Sequence, residues 1–284
     1  MDVSIIIPCY NPGNYLLEAV ESVYASDGLD KISYEIIIVN DGSTDKYTLI
    51  ILEALKTREN VRIIHQVNKG LATARNEGIA AAAGDCLLFL DADNRIRSNF
   101  ITIALRYLKT GKADIVHGNP HFFGDSSEPR FHTGPFEMNS MLLTNYIDAC
   151  AAIRRIVWEA LGGFDANKLV SGFEDWDFWL RAGKAGFKFH YVNETLYDYR
   201  IVKTSMITTK NTGDNLDKAY SYVLSKHPMH VGRALRALYF DHKEYKQFQA
   251  NPFHGLMSLA YKQSKQQVKY QLYRVRNVLN RIRK

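Results

Sequence analysis

The sequence predicts an α/β fold in which a mostly parallel sheet is covered by helices, followed by a basic helical C-terminal extension. Three observations predict it. Short apolar runs alternate with helix-length amphipathic segments through the first half of the 284 residues, polar turn-forming clusters follow those runs directly, and positive charge collects at one end. From Lys210 onward there are 15 Lys/Arg against 4 Asp/Glu, a balance of +11, so residues 1–209 carry −5 of the net +6.

Taken in order, Val3 to Pro8 reads as a first strand, Asn14 to Ala25 as a helix, and Tyr34 to Asn40 (YEIIIVN) as a strand buried on both faces. The cycle repeats: Thr44 to Lys56 reads as helical, Val61 to His65 as extended, Leu71 to Ala83 as helical and Cys86 to Leu90 (CLLFL) as extended. Phe100 to Leu108 and Ala113 to Val116 add a helix and a strand. Gly118 to about Pro135 is rich in Gly, Pro, Ser, His and Phe and is expected to be irregular. Order resumes over Asn139 to Trp158, then a Gly162-Gly163 turn, a helix over Glu174 to Lys184 and an extended stretch from Phe187 to Val192. Beyond Ser205 the pattern is helical and basic.

At 46% hydrophobic and 23% charged residues, the chain reads as globular. No run reaches the ~18–20 uncharged apolar residues of a spanning helix, and MDVSIIIPCY has no basic lead, so a cytoplasmic location is expected. Cys9, Cys86 and Cys150 lack CxxC or metal-ligand spacing and are expected to be reduced and mostly buried. No zinc-finger, RRM-like or KH-like pattern accompanies the basic tail, which argues against nucleic acid as a partner.

In an open parallel sheet, ligands bind beyond the carboxyl ends of the strands. Three strand endings are therefore candidates: Asn40 to Asp45 (NDGSTD), Asp91-Ala92-Asp93-Asn94 and His117-Gly118-Asn119, all expected on one rim. NDGSTD serves equally as a turn with Ser43 or Thr44 as N-cap and Asp45 in the first helical turn, or as a place where Asp41 meets a nucleoside. Asp91 and Asp93 concentrate two carboxylates at a strand end. A divalent cation with a diphosphate offsets that charge, and oxygen ligands suit Mg²⁺ or Mn²⁺. Ser171-Gly172-Phe173-Glu174 fits a capping box, which accounts for Glu174 but less well for Asp175. A first-turn acid is expected to have a lowered pKa, yet a positioned carboxylate still accepts a proton from an attacking hydroxyl. Trp176 and Trp179 read as core and pocket wall. Asn68 to Asn76 opens a helix with Gly70 and puts Lys69 and Arg75 near the same rim; Arg75-Asn76 among alanines is a strange core face.

These segments, in this order, resemble the family 2 glycosyltransferases. The matching pieces are SIIIPCYN (4–11), IIIVNDGSTD (36–45), NKGLATARNEGI (68–79), GDCLLFLDADN (84–94), LGGFD (161–165), GFEDWDFWLR (172–181) and YDYRIVKTSM (197–206). The resemblance implies the GT-A fold, with a Rossmann-like sheet, over residues 1–206. A nucleotide-binding half would occupy about 1–117 and an acceptor half about 118–206, with 207–284 as the extension. It implies an inverting transferase that moves a hexosyl or N-acetylhexosaminyl group from a nucleotide sugar, expected to be UDP-linked, to a glycan or lipid-linked saccharide in surface polysaccharide synthesis.

The family pattern also implies roles. Asp41 would contact uracil or ribose, with Pro8, Tyr10 and Asn11 lining the nucleoside site; Asn68, Gly70 and Arg75 line the donor site. Asp91 and Asp93 match an acid-x-acid motif whose second member binds Mn²⁺ or Mg²⁺. Asp175 matches the catalytic base, flanked by Glu174 and Trp176 at the acceptor. Many relatives carry His where Val202 stands, so Arg200 and Lys203 are left to meet the diphosphate.

The tail has apolar residues at helical spacing (Met257, Tyr261, Val268, Leu272, Val275, Leu279, Ile282), with eight Lys/Arg and no acid from Met257 to Lys284. It suits either a helix docked on its own domain or one lying on an anionic membrane surface. Two rivals to the transferase are a phosphohydrolase of the haloacid dehalogenase kind and a catalytically inactive scaffold subunit of the same fold. The phosphohydrolase pattern places its acidic pair after the first strand and follows it with Thr or Val, whereas here the pair follows the fourth and precedes Asn94-Arg95. Intact Asp91, Asp93 and Asp175 argue against the scaffold.

Overall fold

Apolar strands and one-sided helices assemble into an eight-stranded sheet in the computed structural model, which describes residues 1–203 and 214–250. The strands are β1 (Val3–Cys9), β2 (Tyr34–Asp41), β3 (Val61–Gln66), β4 (Cys86–Phe89), β5 (Arg95–Ile96), β6 (Ile115–Gly124), β7 (Ala152–Arg154) and β8 (Phe189–Ile201), in the order β3-β2-β1-β4-β7-β6-β8-β5. The first four neighbours run parallel, so the ends of β1, β2 and β4 open on one edge. Strand β7 pairs antiparallel with β4 and β6, which joins the parallel part of the sheet to the rest.

The helices are α1 (Tyr15–Tyr24), α2 (Lys46–Leu55), α3 (Leu71–Ala81), α4 (Phe100–Leu108), α5 (Met138–Leu143), α6 (Arg155–Leu161), α7 (Glu174–Ala185), α8 (Asp214–Ser225) and α9 (Pro228–Ala250). Helix α1 buries Leu16, Ala19, Val20 and Val23, the 3–4 spacing of one face. Helix α3 packs on the sheet through Gly78, where a Cβ would sit 2.7 Å from Ile6 Cγ2 and 3.0 Å from Val39 Cγ2. Cys9, Cys86 and Cys150 are buried free thiols, as expected.

Two expectations are corrected. Strand β6 does not end at Val116, and the stretch from Gly118 is not irregular throughout: the strand runs to Gly124, because β8 pairs with it from Ile115–Phe189 to Gly124–Ile201. Register shifts around Asn119 and Pro120 absorb the proline, which lacks a ladder donor. His117-Gly118-Asn119 is thus mid-strand, with His117 buried, and forms no rim. The cap of α2 is Asp45, whose carboxylate accepts from Thr48 N at 2.7 Å, rather than Ser43 or Thr44. Ser43 is engaged elsewhere, accepting from Asn11 N at 3.0 Å.

Residues 1–228 belong to one compact unit, and the described residues beyond it, 229–250, continue α9. The stripe at 257–284 lies outside the described residues. No described helix is long and apolar enough to cross a membrane.

Candidate active site

The parallel strands deliver their carboxyl ends to one edge, and two of the expected clusters meet there. Asp41, at the end of β2, is buried; its carboxylate accepts from Gln66 Nε2 and Lys69 N, both at 2.7 Å, and from Gly70 N at 2.9 Å. It therefore shapes the loop that carries exposed Asn68 into α3. Gly42 makes this approach possible, with φ at +74° and no Cβ that would collide with Asn68 N. After Pro8 at the end of β1, Asn11 takes a left-handed conformation and its Oδ1 accepts from Thr44 N (2.8 Å) and Asp45 N (2.9 Å). Tyr10 stands exposed beside this staple.

Arg75 resolves the puzzle of a polar pair among alanines. It is buried on α3 and donates to Asp91 Oδ1 at 2.7 Å and to Glu174 Oε1 at 2.6 Å. Burial works against its charge, but Asp91, Glu174 and Asp175 outweigh that and hold its pKa above the ordinary value. Asn76, its neighbour, accepts from Trp158 Nε1 (3.0 Å) and Phe164 N (2.8 Å), so it ties α3 to the Gly162-Gly163 turn.

The Asp91-Ala92-Asp93 turn follows β4. Arg200, on β8, braces it, with Nε donating to the Asp93 carbonyl at 2.8 Å and the guanidinium held between the rings of Tyr15 and Phe123. Its remaining arm reaches Glu18 at 2.6 Å. Among the described residues no Lys or Arg pairs with the Asp93 carboxylate, whose pKa burial, followed by the charge of Asp91, pushes up to about 7. Lys203 lies exposed just past β8, with its backbone N donating to Asp125 at 2.9 Å. Val202 stands beside it.

Asp175 begins α7 next to Glu174. The helix starts at Glu174 itself, with Phe173 as N-cap, and Glu174 Oε2 accepts from Gly172 N at 2.7 Å while Oε1 takes Arg75. Asp175 Oδ2 accepts from Asn145 Nδ2 at 3.0 Å and Oδ1 from Trp176 N at 2.7 Å. The expectation of a lowered pKa is overturned. Burial, then the charges of Glu174 and Asp148, outweigh Arg75 and the backbone hydrogen bond from Trp176, and push it up to about 8. Trp176 is fully buried, its Nε1 donating to the Met141 carbonyl at 2.6 Å.

Sequence reasoning missed Asp148 and Asn145. Asp148 stands between α5 and β7; burial, then the charge of Asp91, raises its pKa to about 7. The available signal was one acid inside an apolar stretch, Ile147-Asp148-Ala149-Cys150-Ala151. Among the described residues no group of three or more His, Cys, Asp or Glu is arranged to hold a metal ion.

Known proteins carry the same frame. Residues 4–164 match the family described as Glycosyl transferase family 2. The chain is similar to glycosyltransferase GlyG of Streptococcus pneumoniae, at 36% identity over 134 residues, covering 46% of this chain and 42% of that protein. It is also similar to an uncharacterized glycosyltransferase, YwdF, of Bacillus subtilis, at 30% identity over 195 residues, 65% of this chain and 69% of that protein. The crystal structure of S. aureus TarS 1–349 in complex with UDP-GlcNAc superposes with a TM-score of 0.63 at 20% identity, over 74% of this chain and 61% of that one. The sheet order and these likenesses give the GT-A fold. The matched segment takes in β1, β2, β4 and the Asp91-Ala92-Asp93 turn described above, and on that agreement the chain belongs to glycosyl transferase family 2.

Proposed function

We propose that the chain is an inverting, divalent-metal-dependent glycosyltransferase that moves a hexosyl or N-acetylhexosaminyl group from a UDP-sugar to a hydroxyl of a glycan or lipid-linked saccharide. The observation that carries the reading is the Arg75 bridge, which fastens the acid turn at 91–93 to the helix start that presents Asp175. TarS has been solved with UDP and with UDP-GlcNAc, which supports UDP as the nucleotide.

In this reading Tyr10, Asn11 and Asp41 hold the nucleoside, with Pro8, Asn68 and Gly70 completing that half at about 1–117. Asp175 accepts the proton of the acceptor hydroxyl while that oxygen bonds to the anomeric carbon. The bond from that carbon to the diphosphate breaks on the opposite side, and the nucleoside diphosphate leaves. A base with its pKa near the working pH suits this task. Glu174 acts through Arg75, and Trp176 stiffens the wall beside the base.

The donor set fits a cation. Asp93 is half-buried beside a second carboxylate and has no cationic partner among the described residues, and hard oxygen ligands are those of Mn²⁺ and Mg²⁺. Asp93 and Asp91 would hold it. When bound, the ion would neutralise charge on the departing diphosphate. Arg200 keeps the turn in place, and Lys203 adds positive charge at the mouth.

The reading is tested by a thermal-shift panel of nucleotide sugars with and without Mn²⁺, since a ligand that binds the native state raises its midpoint. A UDP-sugar is expected to raise it only with Mn²⁺, and an aryl phosphate is expected not to be hydrolysed. A panel with no responsive UDP compound contradicts the donor assignment.

A further inference from the structure

A cavity of about 410 Å³ opens beside Asp175, at the lower end of the ~300–1,000 Å³ range of small-molecule sites. Its walls include the aromatic side chains of Phe131, Trp176, Tyr199 and Tyr220, and its polar groups include Asn145, Asp148 and Asp175. Apart from Tyr199, which neighbours Arg200 on β8, these come from segments outside the strand ends assigned to the donor. Tyr220 belongs to α8, beyond the segment that matches the family. That helix is fixed where it stands: Tyr222 donates to Asp165 at 2.9 Å, and Lys226 joins Asp165 and buried Asp177, the latter at 2.7 Å. The Tyr220 ring packs against Trp176 at a centroid distance of 4.5 Å.

We infer that this cavity seats one uncharged pyranose ring, the terminal sugar of the acceptor, with Tyr220 as a packing wall and Asp148 as the partner of a hydroxyl other than the one that reacts. The inference rests on the reading of Asp175 as the base. Aromatic faces match the C–H surface of a pyranose, and a carboxylate is a strong acceptor for its hydroxyls. Asp148 is suited to this, because Oδ1 accepts from Cys150 N at 2.8 Å and Oδ2 has no hydrogen-bond partner among the described residues. A uronic acid or a polyol phosphate would add negative charge beside two acidic side chains that already resist ionising, which disfavours either. Exposed Arg130 is the one basic wall residue among the described residues, and it makes the anionic alternative testable.

The test is ligand-observed saturation-transfer NMR on the full chain with a panel of neutral methyl pyranosides, methyl glucuronide and glycerol phosphate, alongside calorimetric UDP affinity in Mn²⁺. At least one neutral pyranoside is expected to bind. Its affinity is expected to fall about tenfold or more in both Tyr220→Ala and Asp148→Asn, with UDP affinity unchanged and binding kept in Tyr220→Phe. Preferential binding of an anionic probe that depends on Arg130 overturns the inference, as does failure of every neutral pyranoside to bind. Equal loss of UDP affinity in Asp148→Asn also overturns it, since the residue then belongs to the donor side. Failure of the transferase reading has a different signature: the sugar binds and responds to the variants, but no UDP-sugar is consumed.

Discussion

The Arg75 guanidinium meets the Glu174 carboxylate at 2.6 Å across 99 residues of sequence, while its other arm holds Asp91 at 2.7 Å. One buried side chain thereby fixes the distance between the turn assigned to the metal and the helix start assigned to the base. Arginine is suited to this because its planar fork reaches two carboxylates at once, which a lysine ammonium on a flexible stem does not do in fixed geometry.

Arg75→Met is expected to destabilise the fold by about 3–5 kcal/mol, since it leaves the buried Glu174 carboxylate without its countercharge. Denaturant unfolding measures this. Adding Glu174→Gln to the same chain is expected to recover part of the loss, and a double variant as unstable as the single one contradicts the pairing.

Asp93→Asn is expected to weaken UDP binding about tenfold or more in Mn²⁺ and to leave metal-free affinity unchanged; Asp91→Asn is expected to do so less. Calorimetry with and without the ion makes the comparison. Identical affinity of Asp93→Asn and the parent chain in Mn²⁺ removes the metal assignment.

Much of this architecture is legible in the sequence, and the failures have physical causes. The strands through Phe89 and the helices through Leu108 follow from apolar periodicity, because their partners are local and parallel. The length of β6 does not, because only pairing with β8 some 70 residues later overrides its proline and glycines. Asp41, Asp93 and Asp175 stand out by position after strands or at a helix start. Arg75 is visible as an anomaly, yet its two carboxylate partners are set by tertiary packing. Asp148 carries no local motif, and the raised pKa of Asp175 depends on neighbours that periodicity cannot supply.

Stability is expected to fall as pH rises from about 4 to 8. Asp93, Asp148 and Asp175 have folded pKa values near 7, 7 and 8, above the ordinary carboxyl value, so the folded state holds more protons than the unfolded state across that window. Their contribution is complete at the acid end and lost at the alkaline end. Thermal midpoints read from pH 5 to 8.5 test this, and Asp148→Asn is expected to flatten the slope.

Deleting residues 257–284 is expected to abolish co-sedimentation with anionic vesicles without lowering the thermal midpoint. Eight Lys/Arg without an acid attract such a surface by about 1 kcal/mol each when engaged, and high salt is expected to release the full chain. A full-length protein that never sediments with vesicles, or a truncated one that loses stability, favours a helix packed on its own domain.

Asp175 is assigned as the base, and Asp175→Asn keeps its shape while removing its basicity. Single-turnover transfer from a UDP-sugar is to be measured against pH together with UDP affinity in Mn²⁺, on protein shown by circular dichroism to be folded. Transfer by the parent is expected to rise with pH toward about 8 as Asp175 ionises, and the variant is expected to lose at least ~10²-fold while binding UDP as before. Transfer retained in Asp175→Asn, or lost only in step with donor affinity, contradicts the assignment.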